Sequence, residues 1–181
     1  MKKRIIIING RGGAGKDTIC AIAAERYRVR NISSITPIVA IAKSAGWDGV
    51  KTPASRRLLA RLKEVFTEYN DLSHTYCMEQ LTAFRRAEEE QLLFVHIREP
   101  EEIARFRKEA GADCRTLLVR RPGASGPLGN RADDAVEDYC YDAVLCNDGT
   151  LEQLRERVWR LLAEMLEEEP DAGCRLEQGN H

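Results

Sequence analysis

Long apolar runs, zinc-spaced cysteines, aromatic residues and net charge are all scarce in this chain of 181 residues. No apolar run approaches the ~20 residues that cross a bilayer, so no partnership with a membrane is expected. The opening MKKRIIII imitates the start of a secretory leader, but its apolar run stops after the isoleucines. The six cysteines, Cys20, Cys77, Cys114, Cys140, Cys146 and Cys174, form no C-x-x-C pair and no Cys/His cluster of zinc spacing. They read as reduced thiols of a cytoplasmic protein. Net charge is −1 and aromatics are 6%, which argues against a broad basic surface for nucleic acid. No internal repeat and no linker is visible. One α/β domain is expected over residues 1–168, followed by a flexible tail over 169–181.

What the chain does have is concentrated near its start. Ile5, Ile6, Ile7 and Ile8 stand in a row, and such a β-branched run reads as a strand buried on both faces. Gly10, Arg11, Gly12, Gly13, Ala14, Gly15, Lys16, Asp17 and Thr18 follow, and then a stretch of helix-forming composition to Tyr27. Strand, glycine loop and helix in that order is the context of the phosphate-binding pattern G-x-x-x-x-G-K-[ST]. Glycines let backbone N–H groups converge on a phosphate chain. The following helix aims its positive end at the same point, and Lys16 adds a mobile full charge. Asp17 stands where the magnesium-ligating hydroxyl is usual, with the hydroxyl one residue later at Thr18. A carboxylate there implies Mg²⁺ between it and the phosphates. The bland alternative is a glycine turn that only begins a helix.

Further strands are expected at Val29–Ser34, Gln91–Ile97, Cys114–Val119 and Ala143–Cys146, alternating with helices. Thr36 and Thr52, each before a proline, read as helix N-caps. In the helix after Pro53, Leu58, Leu59, Leu62, Val65, Phe66 and Tyr69 share one face. Lys51, Arg56 and Arg57 either form a solvated face or receive a second anionic substrate. Trp47 either stacks on a base or packs under its turn. His74 reads as a cap or surface residue and His96 as a packed strand residue, while Arg98 and Glu99 follow a buried strand at the edge that faces ligands in such sheets. A helix runs from about Ser73 to Glu90, and Asp133–Tyr141 forms a short one. Residues 120–135, with Arg120, Arg121 and Arg131, read as a mobile loop that closes like a lid. A last helix after Thr150 buries Leu151, Leu154, Val158, Leu161, Leu162 and Met165. The alternation predicts a three-layer domain with a mainly parallel five-stranded sheet and helices on both faces.

The loop Gly10, Gly15, Lys16, Asp17, Thr18, the turn Trp47-Asp48-Gly49 with Lys51, Arg98 after a strand, and Asn147-Asp148-Gly149-Thr150 together resemble the P-loop nucleoside monophosphate kinases. Within them the chain is most similar to the deoxynucleoside monophosphate kinases of phages and their bacterial relatives. The resemblance implies sheet order 2-3-1-4-5, ATP as donor, Mg²⁺, and transfer of the γ-phosphate to a phosphate oxygen of a small nucleotide. It implies Lys16, Arg98, Arg120, Arg121 and Arg131 as catalytic cations, Asp17 and Glu99 as metal ligands, and Asn147 beside the adenine. Trp47, Lys51, Arg56 and Arg57 would line the acceptor side of a monomer or homodimer. The chain departs from the family in lacking D-x-x-G and in placing His96 where an Asp is expected. Two other readings stay open: a kinase of another small phosphorylated metabolite, of dephospho-coenzyme A, shikimate or phosphomevalonate type, and an ATP-binding protein that transfers nothing.

Overall fold

The computed structural model describes residues 2–123 and 135–167. Its strands are β1 (Arg4–Asn9), β2 (Val29–Ser33), β3 (Leu92–His96), β4 (Cys114–Arg120) and β5 (Ala143–Cys146). Its helices are α1 (Lys16–Ala24), α2 (Thr36–Ser44), α3 (Pro53–Asn70), α4 (Leu72–Arg86), α5 (Pro100–Ala110) and α6 (Leu151–Glu167). The sheet order is β2-β3-β1-β4-β5 and every pairing is parallel. All five strands therefore end at one edge, and the central register sets Ile8 beside His96 and Asn9 beside Leu118. The expected order and layers are observed.

The isoleucine run forms the central strand, apolar on both pleat faces and buried along its whole length. Ile6 and Ile8 pack with Phe94, Leu117 and Val119 against Ile19, Ile22 and Ala23 of α1 and Leu154, Val158 and Leu162 of α6. Ile5 and Ile7 face the other way, with Leu93 and Val95, against Leu81 and Phe84 of α4 and Ile103 and Phe106 of α5. Each isoleucine is at most 2% exposed, and burial of each is worth about 1.5–3 kcal/mol. Outside this core, α2 and α3 form a smaller cluster of Ile38, Ala42 and Leu59, with Trp47, Leu62 and Phe66 against it.

Several local expectations are corrected. Thr36 is the first helical residue rather than the cap; Ile35 holds the cap position without a side-chain bond. Thr52 does cap α3, in a reciprocal box with Ser55. The α3 stripe is only half buried: Leu59 is inside, whereas Leu58, Val65 and Tyr69 are exposed, because α3 rests on α2 and α4 at the rim and not on the sheet. Leu151, at the first turn of α6, is also exposed. α4 stops at Arg86, and the only helical turn described between Asp133 and Tyr141 is 3₁₀, at Ala135–Glu137. Most of the expected lid, with Arg131, and the tail 169–181 lie outside the described residues. No described helix is long and apolar enough to cross a membrane.

Candidate phosphate-binding site

The site begins with Asn9, the one polar residue that closes β1. It is fully buried. Its Oδ1 accepts from the N–H of Gly10 at 2.8 Å, while its Nδ2 donates to the Tyr141 hydroxyl at 2.8 Å and the Arg98 carbonyl at 3.1 Å. One side chain thereby ties the loop entry to the segments after β3 and before β5. The chain leaves the sheet through Gly10, with φ +151°, where a Cβ would lie 2.5 Å from the Val119 carbonyl oxygen. Only glycine fits that approach. Arg11 accepts from the N–H of Ala14 at 3.1 Å, and Gly15, with φ +100°, delivers the chain into α1. No side chain caps the first turn of α1, so its N–H groups suit an external anion.

Lys16 folds back over this turn. Its Nζ donates to the carbonyls of Gly10 at 2.5 Å and Arg11 at 3.1 Å. Asn147, after β5, donates from Nδ2 to the Ala14 carbonyl at 2.9 Å and from its backbone N–H to the Arg120 carbonyl at 2.7 Å. A Cβ on Gly15 would meet that Asn147 amide at 2.5 Å. Asn147 is thus a strut under the loop. A cavity of about 420 Å³ opens beside it, lined by Arg11, Arg120, Arg121, Glu137, Cys146 and Asp148 among others.

The cations expected to act together are unevenly placed. Arg120 is paired with Glu137, at 2.5 Å in its shortest contact, and Asp148 with Arg157 at 2.5 Å. Arg121 is exposed, with one guanidinium nitrogen 3.4 Å from the Gly13 carbonyl. Arg98 is exposed directly after β3. Lys51, Arg56 and Arg57 are exposed around the start of α3 and do not line the cavity. Trp47 packs beneath its own turn and donates from Nε1 to the Val50 carbonyl at 3.1 Å, so its ring is used by the fold.

The carboxylates divide in a way the sequence did not disclose. Glu99 and Glu102 both clasp Lys63 of α3, at 2.7 and 2.8 Å. Burial pushes the Glu99 carboxyl up, but the charge and hydrogen bond of Lys63 outweigh it and hold Glu99 below its usual range. Burial and the Glu99 charge push Glu102 the other way. Asp17 and Thr18, by contrast, are exposed on the first turn of α1. Among the described residues no three His, Cys, Asp or Glu side chains converge as a metal cage. A divalent ion here fits only as one held by Asp17 and completed by phosphate oxygens and water, the usual mode for Mg²⁺ with nucleotides.

His96, at the end of β3, is half-buried. Its Nε2 lies 2.9 Å from Asn31 Oδ1 and 3.7 Å from Cys20 Sγ. Burial first, and then the charges of Lys16 and Arg98, lower it from 6.5 to about 4, with Asp17 opposing. The ring is therefore neutral at pH 7. His74, in α4, is instead paired with Glu109 at 3.1 Å on the opposite helical layer. Asn9, Asn31 as the partner of His96, and Lys63 as the partner of Glu99 were not singled out by pattern. The signal for Asn9 was present, as a polar residue between four isoleucines and a glycine.

No protein-family profile matches the chain, and no curated protein matches it. Among solved structures it is similar to a sugar kinase from Janibacter sp. HTCC2649, with TM-score 0.53 and 14% identity over 89% of this chain and 95% of that one. It is also similar to TT1252 from Thermus thermophilus, with TM-score 0.51 and 23% identity over 91% of this chain and 98% of that one. At these identities the likeness is one of fold.

Proposed function

We propose that the protein transfers the γ-phosphoryl group of ATP to a phosphate oxygen of a small phosphorylated acceptor, a (deoxy)nucleoside monophosphate. The observation that carries this reading is the loop itself. An uncapped helix start, two glycines at which an added Cβ would come within 2.5 Å of Val119 or Asn147, and Lys16 folded over the turn occur together. A turn that merely began a helix would need neither the tight approach nor the lysine. The kinase of like fold supports phosphoryl transfer as the class of reaction.

In this reading the loop N–H groups hold the phosphate chain, and Lys16 leaves the Gly10 and Arg11 carbonyls to follow the moving group. The bond from Pγ to the bridging oxygen of ADP breaks as one forms to the acceptor oxygen. Arg98 and Arg121 cancel charge on the transferred group, joined by Arg120 once it releases Glu137 and by Arg131. Asn147 and Asp148 border the adenine side. Lys51, Arg56 and Arg57 meet the acceptor. Asp17 would hold Mg²⁺, with Glu99 a second ligand only if it leaves Lys63; the ion would supply charge neutralisation on the phosphates.

Calorimetry with ATP, followed by ADP release with each common (deoxy)nucleoside monophosphate, tests the reading. Saturable uptake and turnover with at least one such acceptor is the expected result. Turnover only with another phosphorylated metabolite would move the acceptor class. Uptake without product from any acceptor would favour a nucleotide-binding role without transfer, and no uptake by folded protein would end the proposal.

A further inference from the structure

The helix α3 leaves apolar surface in water. Of the six large hydrophobic side chains exposed among the described residues, Leu58, Val65 and Tyr69 lie on this one helix, at 44%, 58% and 80%. Leu62 lies between them, half-buried against the α2–α3 cluster. Leu58, Leu62, Val65 and Tyr69 step by four, three and four residues, the spacing of a helix–helix seam. One flank of this stripe is charged, and its signs are divided along the helix. Arg61 stands in the first half, Glu64 and Glu68 in the second. All three are exposed, and among the described residues none of them has an ion-pair partner. The helix itself is held in shape, with Thr52 and Ser55 capping its start and Ser55 and Leu59 buried on its inner side. The stripe is therefore presented with little left to order on contact.

We propose that this face of α3 docks on the same face of a second copy of the chain, antiparallel about a two-fold axis near residues 63 and 64. The antiparallel sense is the one its sequence suits. It stacks Leu58 on the partner's Tyr69 and Leu62 on the partner's Val65, and the two-fold repeats both contacts. It also brings Arg61 beside the partner's Glu68, twice. A parallel pairing would set Arg61 against the partner's Arg61 and Glu68 against the partner's Glu68, which is unfavourable. A foreign partner would not require α3 to complement itself in this way. The 18 residues of α3 span about 27 Å. One helix face of that length makes an interface at the small end of the specific range, about 1,200 Å² in total, so a micromolar dissociation constant is expected.

Analytical ultracentrifugation of the full chain between about 1 and 200 μM tests this. The wild type is expected to become dimeric toward the upper end. Val65→Glu should raise the dissociation constant about 30-fold or more, with an unchanged circular dichroism spectrum because the site is exposed. Arg61→Glu and Glu68→Arg should each weaken association about tenfold, and the variant carrying both changes should recover it. The two single variants mixed together should associate more tightly than either alone. A wild type that stays monomeric overturns the proposal; resistance of its Tyr69 to nitration would then give the stripe to a segment of the same chain. A dimer unaffected by Val65→Glu overturns it as well. So does a double charge variant no better than the single ones. The charge variants decide the matter even where Val65→Glu fails to fold.

Discussion

Replacing Gly10 by alanine should lower the melting temperature more than replacing Gly13, although both glycines have positive φ in the same loop. At Gly13, with φ +78°, nothing lies within 4 Å of an added Cβ, so only backbone strain of about 1–3 kcal/mol is expected. At Gly10, with φ +151°, the same strain applies and the new methyl lies 2.5 Å from the Val119 carbonyl oxygen. That oxygen belongs to β4, which pairs directly with β1. It cannot swing away as a side-chain tip would. Forcing the strands apart adds about 1–3 kcal/mol, the range for overpacked interiors. For a chain of this size each kcal/mol moves the midpoint by about 2–4 °C, so Gly10→Ala should melt about 2–12 °C below Gly13→Ala. Differential scanning calorimetry of the two purified variants measures this. Equal melting temperatures would refute the claim that Gly10 is fixed by the closeness of β4.

Lys16→Ala should keep the wild-type melting temperature within about 2 °C but reduce phosphoryl transfer by about 10²–10³-fold; full activity in a coupled assay would remove Lys16 from the chemistry. Asn9→Ala removes both Nδ2 bonds and orphans the buried N–H of Gly10, so urea denaturation should show a loss of about 2–4 kcal/mol with an unchanged slope. The folded-state value of His96, about 4 against 6.5 for the free group, means that the unfolded chain takes up the proton first on acidification. The stability tied to this residue is complete above pH 6.5 and falls as pH drops toward 4, by up to about 3 kcal/mol. Denaturation at pH 7.5 and 4.5 should show a smaller difference for His96→Gln than for the wild type; the same difference would place the acid lability elsewhere.

The architecture was legible because its signals are local. Four isoleucines can lie only in a strand covered twice, and the glycine-lysine pattern after them fixes the loop and the helix. Parallel pairing then follows from strand–helix alternation, whereas the strand order was implied by the family resemblance. The α3 face misled for a physical reason: periodicity reports which residues share a stripe but not how much of it a neighbour covers. Leu58 and Leu59 are adjacent in sequence, yet only Leu59 reaches the α2 contact. The charged groups were hardest to read. Nothing in the sequence around Lys63 points to a partner, and only the fold carries it to Glu99 and Glu102. Arg120 likewise gains its partner from Glu137, seventeen residues on. Such pairings depend on distances across the fold that no spacing in the sequence encodes.

The strand order has a consequence for how the chain is made. β1 is earliest in sequence of the five, yet its partners are β3 and β4, which begin at Leu92 and Cys114. On a ribosome the isoleucine segment would therefore emerge long before either neighbour exists. It must stay extended and sticky until more than half the polypeptide has followed, the situation in which nascent sheets recruit chaperones or aggregate. Late closure around a waiting central strand would make the yield of active protein sensitive to elongation rate between residues 10 and 120.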